Sequence, residues 1–252
     1  MKNNAYDLHN IEYLSASRIN LFIADPAMCL LRMTGYTSYA GASAWRGNGV
    51  DKALTTAVQF PEIEIDNVIS MGKKEMSKNV DLTSGYTEKY LKEEKVMERC
   101  ISQAFEGFIQ KYRKKTMIGS QGRISLMLDD VPIPFIGYYD WLFEDCVIDL
   151  KSKSQRTSKA DESVRRQLSI YSKATGKPPI VAYVSPNEVN EIEIQDVEKH
   201  IDNIRTAVFS LERILSYSDD IEECCRLLYP NFDHWMWSEA DITQAKKIWK
   251  IK

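Results

Sequence analysis

Asp140, Asp149 and Lys151 are the residues whose types and spacing point most directly to chemistry. Gly137 to Phe143 is an aromatic-rich run and Cys146 to Leu150 an apolar, β-branched one, with the polar pair Glu144-Asp145 between them. That is the pattern of two strands joined by a tight turn. Side chains alternate along a strand, so Val147, Asp149 and Lys151 share one face while Ile148 and Leu150 share the other. If Glu144-Asp145 is a two-residue turn, Phe143 pairs with Cys146 and Asp140 falls directly opposite Asp149. Opposed residues hold their Cβ atoms roughly 4.5–5.5 Å apart, a spacing at which like charges are destabilising. Two facing carboxylates therefore ask for a cation, and Lys151 is placed to point at whatever that cation binds. Glu-Asp is not the Asn-Gly or Asp-Gly pair that hairpin turns prefer, so a register slipped by one residue stays open. So does the plainer reading in which both acids face solvent.

Directly after this hairpin the chain turns basic. From Lys151 to Lys177 stand Lys151, Lys153, Arg156, Lys159, Arg165, Arg166, Lys173 and Lys177, against only Asp161 and Glu162. Eight positive less two negative is +6, in a chain whose formal net charge is −3. Phosphate backbones are bound through such patches by charge neutralisation and counterion release, which makes Lys153, Arg156, Arg165 and Arg166 candidate DNA contacts. A solvated helix face is the alternative. Gln167 and Tyr171 lie four residues apart on one helix face; an amide there can orient a water or touch a phosphate, and a phenol can hydrogen-bond or stack. Asp51 stands beside an apolar helical stripe of Val50, Ala53, Leu54, Ala57 and Val58, as a third candidate acid or as an ordinary first-turn acid.

Elements must position these groups. Leu14 to Ile23 reads as a helix capped by Ser15 or Ser17, ended by Asp25-Pro26 and followed by a short helix over Ala27 to Met33. Ala44 to Val58 and Thr87 to Lys115 are longer helices. The polar stretch Pro61 to Gly85 reads as a surface excursion. Arg123 to Leu128, Ile133 to Phe143 and Cys146 to Lys151 form a meander with turns at Asp129-Asp130 and Glu144-Asp145. A helix over Lys159 to Thr175, stopped by Gly176, leads to a buried strand at Ile180 to Val184 and an edge strand at Glu191 to Ile194. Asp196 caps the next helix, and two more, near Asp219 to Leu228 and Ser238 to Trp249, flank an aromatic loop. The fold class expected is α/β (α+β): a central mixed sheet with an antiparallel meander, flanked by helices. One domain over residues 1–252, with a core at about 44–184, is the simplest organisation.

Composition narrows the class. Hydrophobic residues make up 44% and charged residues 27% of 252, ordinary for a globular protein. The net charge carries no global signal for nucleic acid, so such a signal has to be local. Met1 to Asn10 is polar without an apolar core, so no secretory leader is expected, and no run approaches the length of a membrane span. Cys29, Cys100, Cys146, Cys224 and Cys225 are odd in number and irregularly spaced, which argues for reduced thiols in an intracellular, cytoplasmic setting. Gly47-Asn48-Gly49 lacks a dinucleotide loop's third glycine, and His9, His200 and His234 follow no ligand spacing.

As a set, Gly137 to Asp140, Asp149 to Ser152 and Gln167 to Tyr171 in a basic helix resemble the RecB-like branch of the PD-(D/E)XK nuclease superfamily. The opening Leu14 to Phe22 with Pro26 and Cys29, and Arg46-Gly47-x-x-Val50 followed by Asp51, resemble it too. The likeness spans Leu14 to about Val184. It implies a restriction-endonuclease-like core and a metal-dependent deoxyribonuclease, an exonuclease in DNA recombination, repair or phage DNA processing. Asp140 and Asp149 would be the main Mg²⁺ or Mn²⁺ ligands, with the Leu150 carbonyl as a backbone ligand and Asp51 completing the site. Lys151 would act on the attacking water and stabilise negative charge, while Gln167 and Tyr171 would position the nucleophile or the DNA backbone. Expected partners are DNA, a recombination or replication protein and a second copy of the chain, with no membrane.

Two positions depart from the family pattern. Cys224-Cys225 do not supply the three C-terminal cysteines of members with an iron–sulfur cluster, so no cluster is expected. Asp51 is shorter than the His or Glu usual at its place. A structure-selective endonuclease and a non-catalytic DNA-binding module of the same fold are the alternatives.

Overall fold

The computed structural model describes residues 4–38, 41–78 and 87–251. Its first helices start where side chains satisfy exposed backbone N–H groups. Helix α1 (Ala5–Leu8) opens in a capping box between Asn4 and Asp7. Helix α2 (Ala16–Ala24) starts on the Ser15 hydroxyl and α3 (Pro26–Met33) on the Asp25 carboxylate, with proline in its first turn. Helices α4 (Ala42–Gln59) and α5 (Ile65–Ser77) follow. Thr87 caps α6 (Glu88–Ala104), which runs through a π-helical turn, Phe105–Ile109, into α7 (Gln110–Arg113). Strands β1 (Met117–Leu126), β2 (Phe135–Phe143) and β3 (Val147–Ser152) lead to α8 (Glu162–Thr175), which Gly176 ends in a left-handed turn. Strands β4 (Pro179–Val184) and β5 (Val189–Glu193) precede α9 (Val197–Leu215), α10 (Ile221–Arg226) and α11 (Glu239–Trp249).

The strands make one sheet in the order β1-β2-β3-β4-β5. Trp141 lies opposite Ile148 and Leu142 opposite Val147 in antiparallel register, and the Phe143 N–H donates to the Cys146 carbonyl at 2.8 Å. The turn therefore holds two residues without a slip, and the same register carried one step further sets Asp140 across from Asp149. Strand β4 lies parallel to β3, with Asp149 beside Val181 and Lys151 beside Tyr183. Parallel neighbours need a crossover, and α8 is that crossover. Strand β5 then returns antiparallel along β4. The sheet is mixed and flanked by helices, as the order of elements implies.

The chain packs as two compact units, where the sequence suggests one domain. One comprises Met1–Tyr39, Ile124–Gly137 and Asp196–Lys252. There the fully buried Tyr6 donates its hydroxyl proton to the Val208 carbonyl at 3.0 Å, Trp237 Nε1 donates to Asp25 at 2.7 Å, and Arg32 pairs with Asp241 at 2.9 Å. The other comprises Ala40–Arg123 and Tyr138–Gln195. Its core joins α4, α5 and α6 to β2, β3 and β4 around Trp141, Phe143, Tyr112 and Phe108, with Trp141 stacked on Phe108 at 5.6 Å between ring centres. Ile148 and Leu150 enter this core, which leaves the opposite face of β3 to Asp149 and Lys151.

Two local expectations change. Within the supposed surface excursion, residues 65–77 form α5, with Val68 and Met76 fully buried; the part at 79–86 lies outside the described residues. Its buried stripe, Val68, Gly72 and Met76, has a glycine at its centre, and a glycine carries no hydrophobic signal. Asp196 stands at the start of α9 but in a left-handed conformation (φ 57°), and its side chain makes no capping bond.

Candidate active site

Asp149 is 2% exposed, an unusual burial for a carboxylate. Its position on β3 turns it toward α8, where the Gln167 amide donates to Asp149 Oδ1 at 3.1 Å and to the Tyr171 hydroxyl at 2.8 Å. Lys151 Nζ stands 2.6 Å from Asp149 Oδ2 as an ion pair. Oδ2 is fully buried, and the ammonium is not aligned with it as a hydrogen bond.

Asp140 is fixed differently. The Leu150 N–H donates to Asp140 Oδ2 at 2.6 Å. The Leu150 N–H thus fixes Asp140 in place, a contact separate from the ligand role expected of the Leu150 carbonyl. Gln121 Nε2 donates to Asp140 Oδ1 at 3.2 Å and also to Asp51 Oδ2 at 2.6 Å. Asp51 Oδ1 accepts from the Thr55 hydroxyl at 3.2 Å, and Thr55 accepts from the buried Trp141 indole at 2.8 Å. A hydrogen-bond chain from the core therefore locks Asp51, on α4, toward Asp140 and Asp149, on β2 and β3. Arg46 secures the end of β3: its guanidinium donates to the Ser152 hydroxyl at 3.0 Å and carbonyl at 3.2 Å and pairs with Glu93.

The electrostatics follow from this crowding. Burial raises the Asp51 carboxyl to about 6, with the Thr55 bond opposing and Asp149 adding to the rise. Burial, then the charges of Asp149 and Asp51, hold Asp140 well above the usual carboxylate range. Burial also raises Asp149, against the pull of Lys151. For Lys151, burial acts downward, but the Asp149 and Asp140 carboxylates carry it above its ordinary value, so the amine stays an ammonium. Tyr171 rises to about 12 through burial and the Asp149 charge, so its phenol keeps its proton.

Asp51, Asp140, Asp149, Leu150, Lys151, Gln167 and Tyr171 therefore meet in one place, drawn from α4, β2, β3 and α8. Three of the four basic candidates stand in ion pairs with acids. Lys153 pairs with Asp161 at 3.4 Å, the exposed Arg156 with Glu188 at 2.9 Å, and Arg165 with Glu162 at 3.6 Å. Arg166 is half-buried on α8, where burial lowers its pKa against Glu162.

Three crowded, mutually repelling carboxylates, Asp149 buried with a partly unsatisfied Oδ2 and Asp51 and Asp140 half-buried, fit a hard divalent cation, which takes oxygen ligands. Among the described residues no three His, Cys, Asp or Glu side chains close on one point at metal-ligand spacing; Gln121 and Lys151 hold the inner oxygens. Sequence reasoning missed Gln121 and Thr55. Thr55 had a signal, one turn beyond Asp51. Gln121 lies in Gly119-Ser120-Gln121-Gly122 with φ 51°, and a Cβ at Gly119 or Gly122 would come within 2.9 or 2.1 Å of the Tyr139 hydroxyl. The two glycines make room for Tyr139, and the kinked backbone between them turns Gln121 toward the acids.

No helix among the described residues is long and apolar enough to cross a membrane. No protein-family model matches the chain, and no curated protein matches it. Among solved structures, one described as the crystal structure of SSO0001 aligns over 84% of this chain and 93% of its own at 12% identity, with a TM-score of 0.35, a likeness too slight to bear on fold or function.

Proposed function

We propose that this cluster is the centre of a divalent-cation-dependent nuclease that hydrolyses DNA phosphodiester bonds. The observation that carries the proposal is the unslipped hairpin register, which sets Asp140 across from Asp149 while Lys151 Nζ stands 2.6 Å from Asp149. Asp140 and Asp149 would hold Mg²⁺ or Mn²⁺, with Asp51 as the third acid. When bound, such a cation polarises the phosphoryl group and lowers the pKa of its water. The chain's own residues do the rest. Lys151, kept charged, is a poor base; its role is to orient the attacking water and to meet the negative charge that develops on the phosphoryl oxygens. Gln167 keeps Asp149 and Tyr171 in a fixed relation, and Tyr171 offers a phenolic proton to a backbone phosphate. Lys153, Arg156, Arg165 and Arg166 would exchange their acidic partners for DNA phosphates.

Water attacks phosphorus, the bond from phosphorus to one deoxyribose oxygen breaks, and that oxygen takes up a proton. A preference for DNA ends, and a place in recombination, repair or phage DNA processing, rest on the resemblance to RecB-like PD-(D/E)XK nucleases. Incubation with Mn²⁺ and either linear or closed circular DNA tests the proposal. Loss of linear DNA with circles spared is expected; nicked circles would mark an endonuclease, and no cleavage of either by folded protein would overturn the enzyme. Asp149→Ala and Lys151→Ala should each lower cleavage by at least 10²-fold with DNA binding retained. Normal cutting by Lys151→Ala would remove the role given to that lysine.

A further inference from the structure

Gln121 bonds two carboxylates through one nitrogen, Asp51 Oδ2 at 2.6 Å and Asp140 Oδ1 at 3.2 Å. The second oxygen of each acid is committed to a rigid part of the fold. Asp51 Oδ1 accepts from Thr55, which the Trp141 indole holds in turn, and Asp140 Oδ2 accepts from the Leu150 N–H. The oxygens that face a common point are therefore the two on Gln121. A cation that bridges Asp51 and Asp140 through these two oxygens takes the place of the amide.

The backbone is built for this contact. Gln121 adopts φ 51° inside β1, a left-handed conformation uncommon for a residue with a side chain. Such local strain persists where the surroundings enforce it and clusters at functional sites. Gly119 and Gly122 leave room for the Tyr139 hydroxyl on either side of it. Gln121 is also exposed, so its side chain has solvent to swing into.

We propose that Gln121 is a positioning residue that competes with the cation. Its carboxamide gathers Asp51 and Asp140 about one point and is displaced from between them when a divalent ion binds both. This rests on the cation-dependent reading above and adds a step to it: binding requires a swing of Gln121, and the amide sets how tightly the ion is held.

Calorimetric titration of the full-length protein with Mn²⁺ tests the step, on wild type, Gln121→Ala and Gln121→Gly. The glycine variant suits the left-handed backbone and separates loss of the amide from strain. Both variants should bind Mn²⁺ about 5–10-fold more tightly, since hydrogen bonds to two charged groups no longer compete. In EDTA both should melt below the wild type, and Mn²⁺ should raise their Tm by a larger increment than it raises the wild type's. Should the alanine variant fail to fold, the glycine variant decides alone. Wild-type binding with unchanged or weaker affinity in the variants overturns the competition and leaves Gln121 a brace. Absence of Mn²⁺ binding by the wild type overturns the metal reading, and the displacement with it.

Discussion

Asp140 shows how far the surroundings of one side chain can set its chemistry. Its carboxylate has two other acids nearby and little water, and its pKa stands well above the ordinary range, with Asp51 beside it at about 6. Unfolded, both acids titrate near ~4. Between about pH 4 and 6 the folded chain thus binds more protons than the unfolded one, and stability falls as pH rises through that window. Each charge the cluster carries is a cost that a bound cation would relieve. Asp140→Asn keeps an acceptor for the Leu150 N–H but removes one charge. In EDTA at pH 7.5 it should raise Tm by about 2–4 °C, the equivalent of ~1 kcal/mol in a chain of this size, and should flatten the decline of Tm as pH rises from about 4. A lower Tm in thermal melts would mean that the charge is not a burden. Asp140, Asp149 and Lys151 were legible at this scale because strand alternation and a two-residue turn fix their relation. Gln121 was not, because a glutamine between glycines has no periodicity to betray it.

Helices α4, α5 and α6 frame the cluster from the side of Asp51, and their spacing is set by glycine. A Cβ on Gly49 would lie 2.4 Å from Met97 Sδ and 2.9 Å from the Gly72 carbonyl, so α4 and α5 approach closely there. Methionine can yield, but a backbone carbonyl cannot without moving its helix. Gly49→Ala should therefore destabilise by about 1–3 kcal/mol. Gly47, on the same helix, has nothing within 4 Å of its Cβ position. Gly47→Ala should be neutral or stabilising by up to ~1 kcal/mol, through helix propensity alone. Urea denaturation of the two variants separates these outcomes, and equal midpoints would refute the close approach as its cause. The same geometry explains why α5 escaped detection: at Gly49 and Gly72 the two helices meet backbone against backbone. Capped helices with apolar stripes, such as α2, α6 and α11, were readable because each start carries its own signal in Ser15, Thr87 and Ser238.

Over the whole molecule the formal charge is −3, so any hold on a polyanion must come from the basic run after β3. Lys153, Arg156 and Arg165 stand in partly exposed ion pairs, which contribute little to stability and exchange readily. If these three and Arg166 meet phosphates, the logarithm of duplex affinity should fall against the logarithm of salt concentration with a slope of about −3 to −4. Fluorescence anisotropy in EDTA, over 50 to 200 mM salt, measures it. A slope near zero would remove the phosphate-binding role of the run. The division into two compact units was not legible, because no linker or compositional break marks it and both units draw on distant segments of the chain.

By itself, the sequence determined the mixed sheet, the hairpin with an acid on each strand, and the helix that carries Gln167 and Tyr171. These depend on local rules: alternation, turn length and a period of 3.6 residues. The structure chose the unslipped register among those left open. Only the tertiary structure decided that Asp51, 89 residues before Asp140, belongs with it. It also decided that Gln121 stands between those two acids, that Leu150 contributes its N–H, and that most of the basic candidates have acidic neighbours. Each of these depends on where separate elements converge, and contacts between elements distant in sequence leave no periodic trace along the chain.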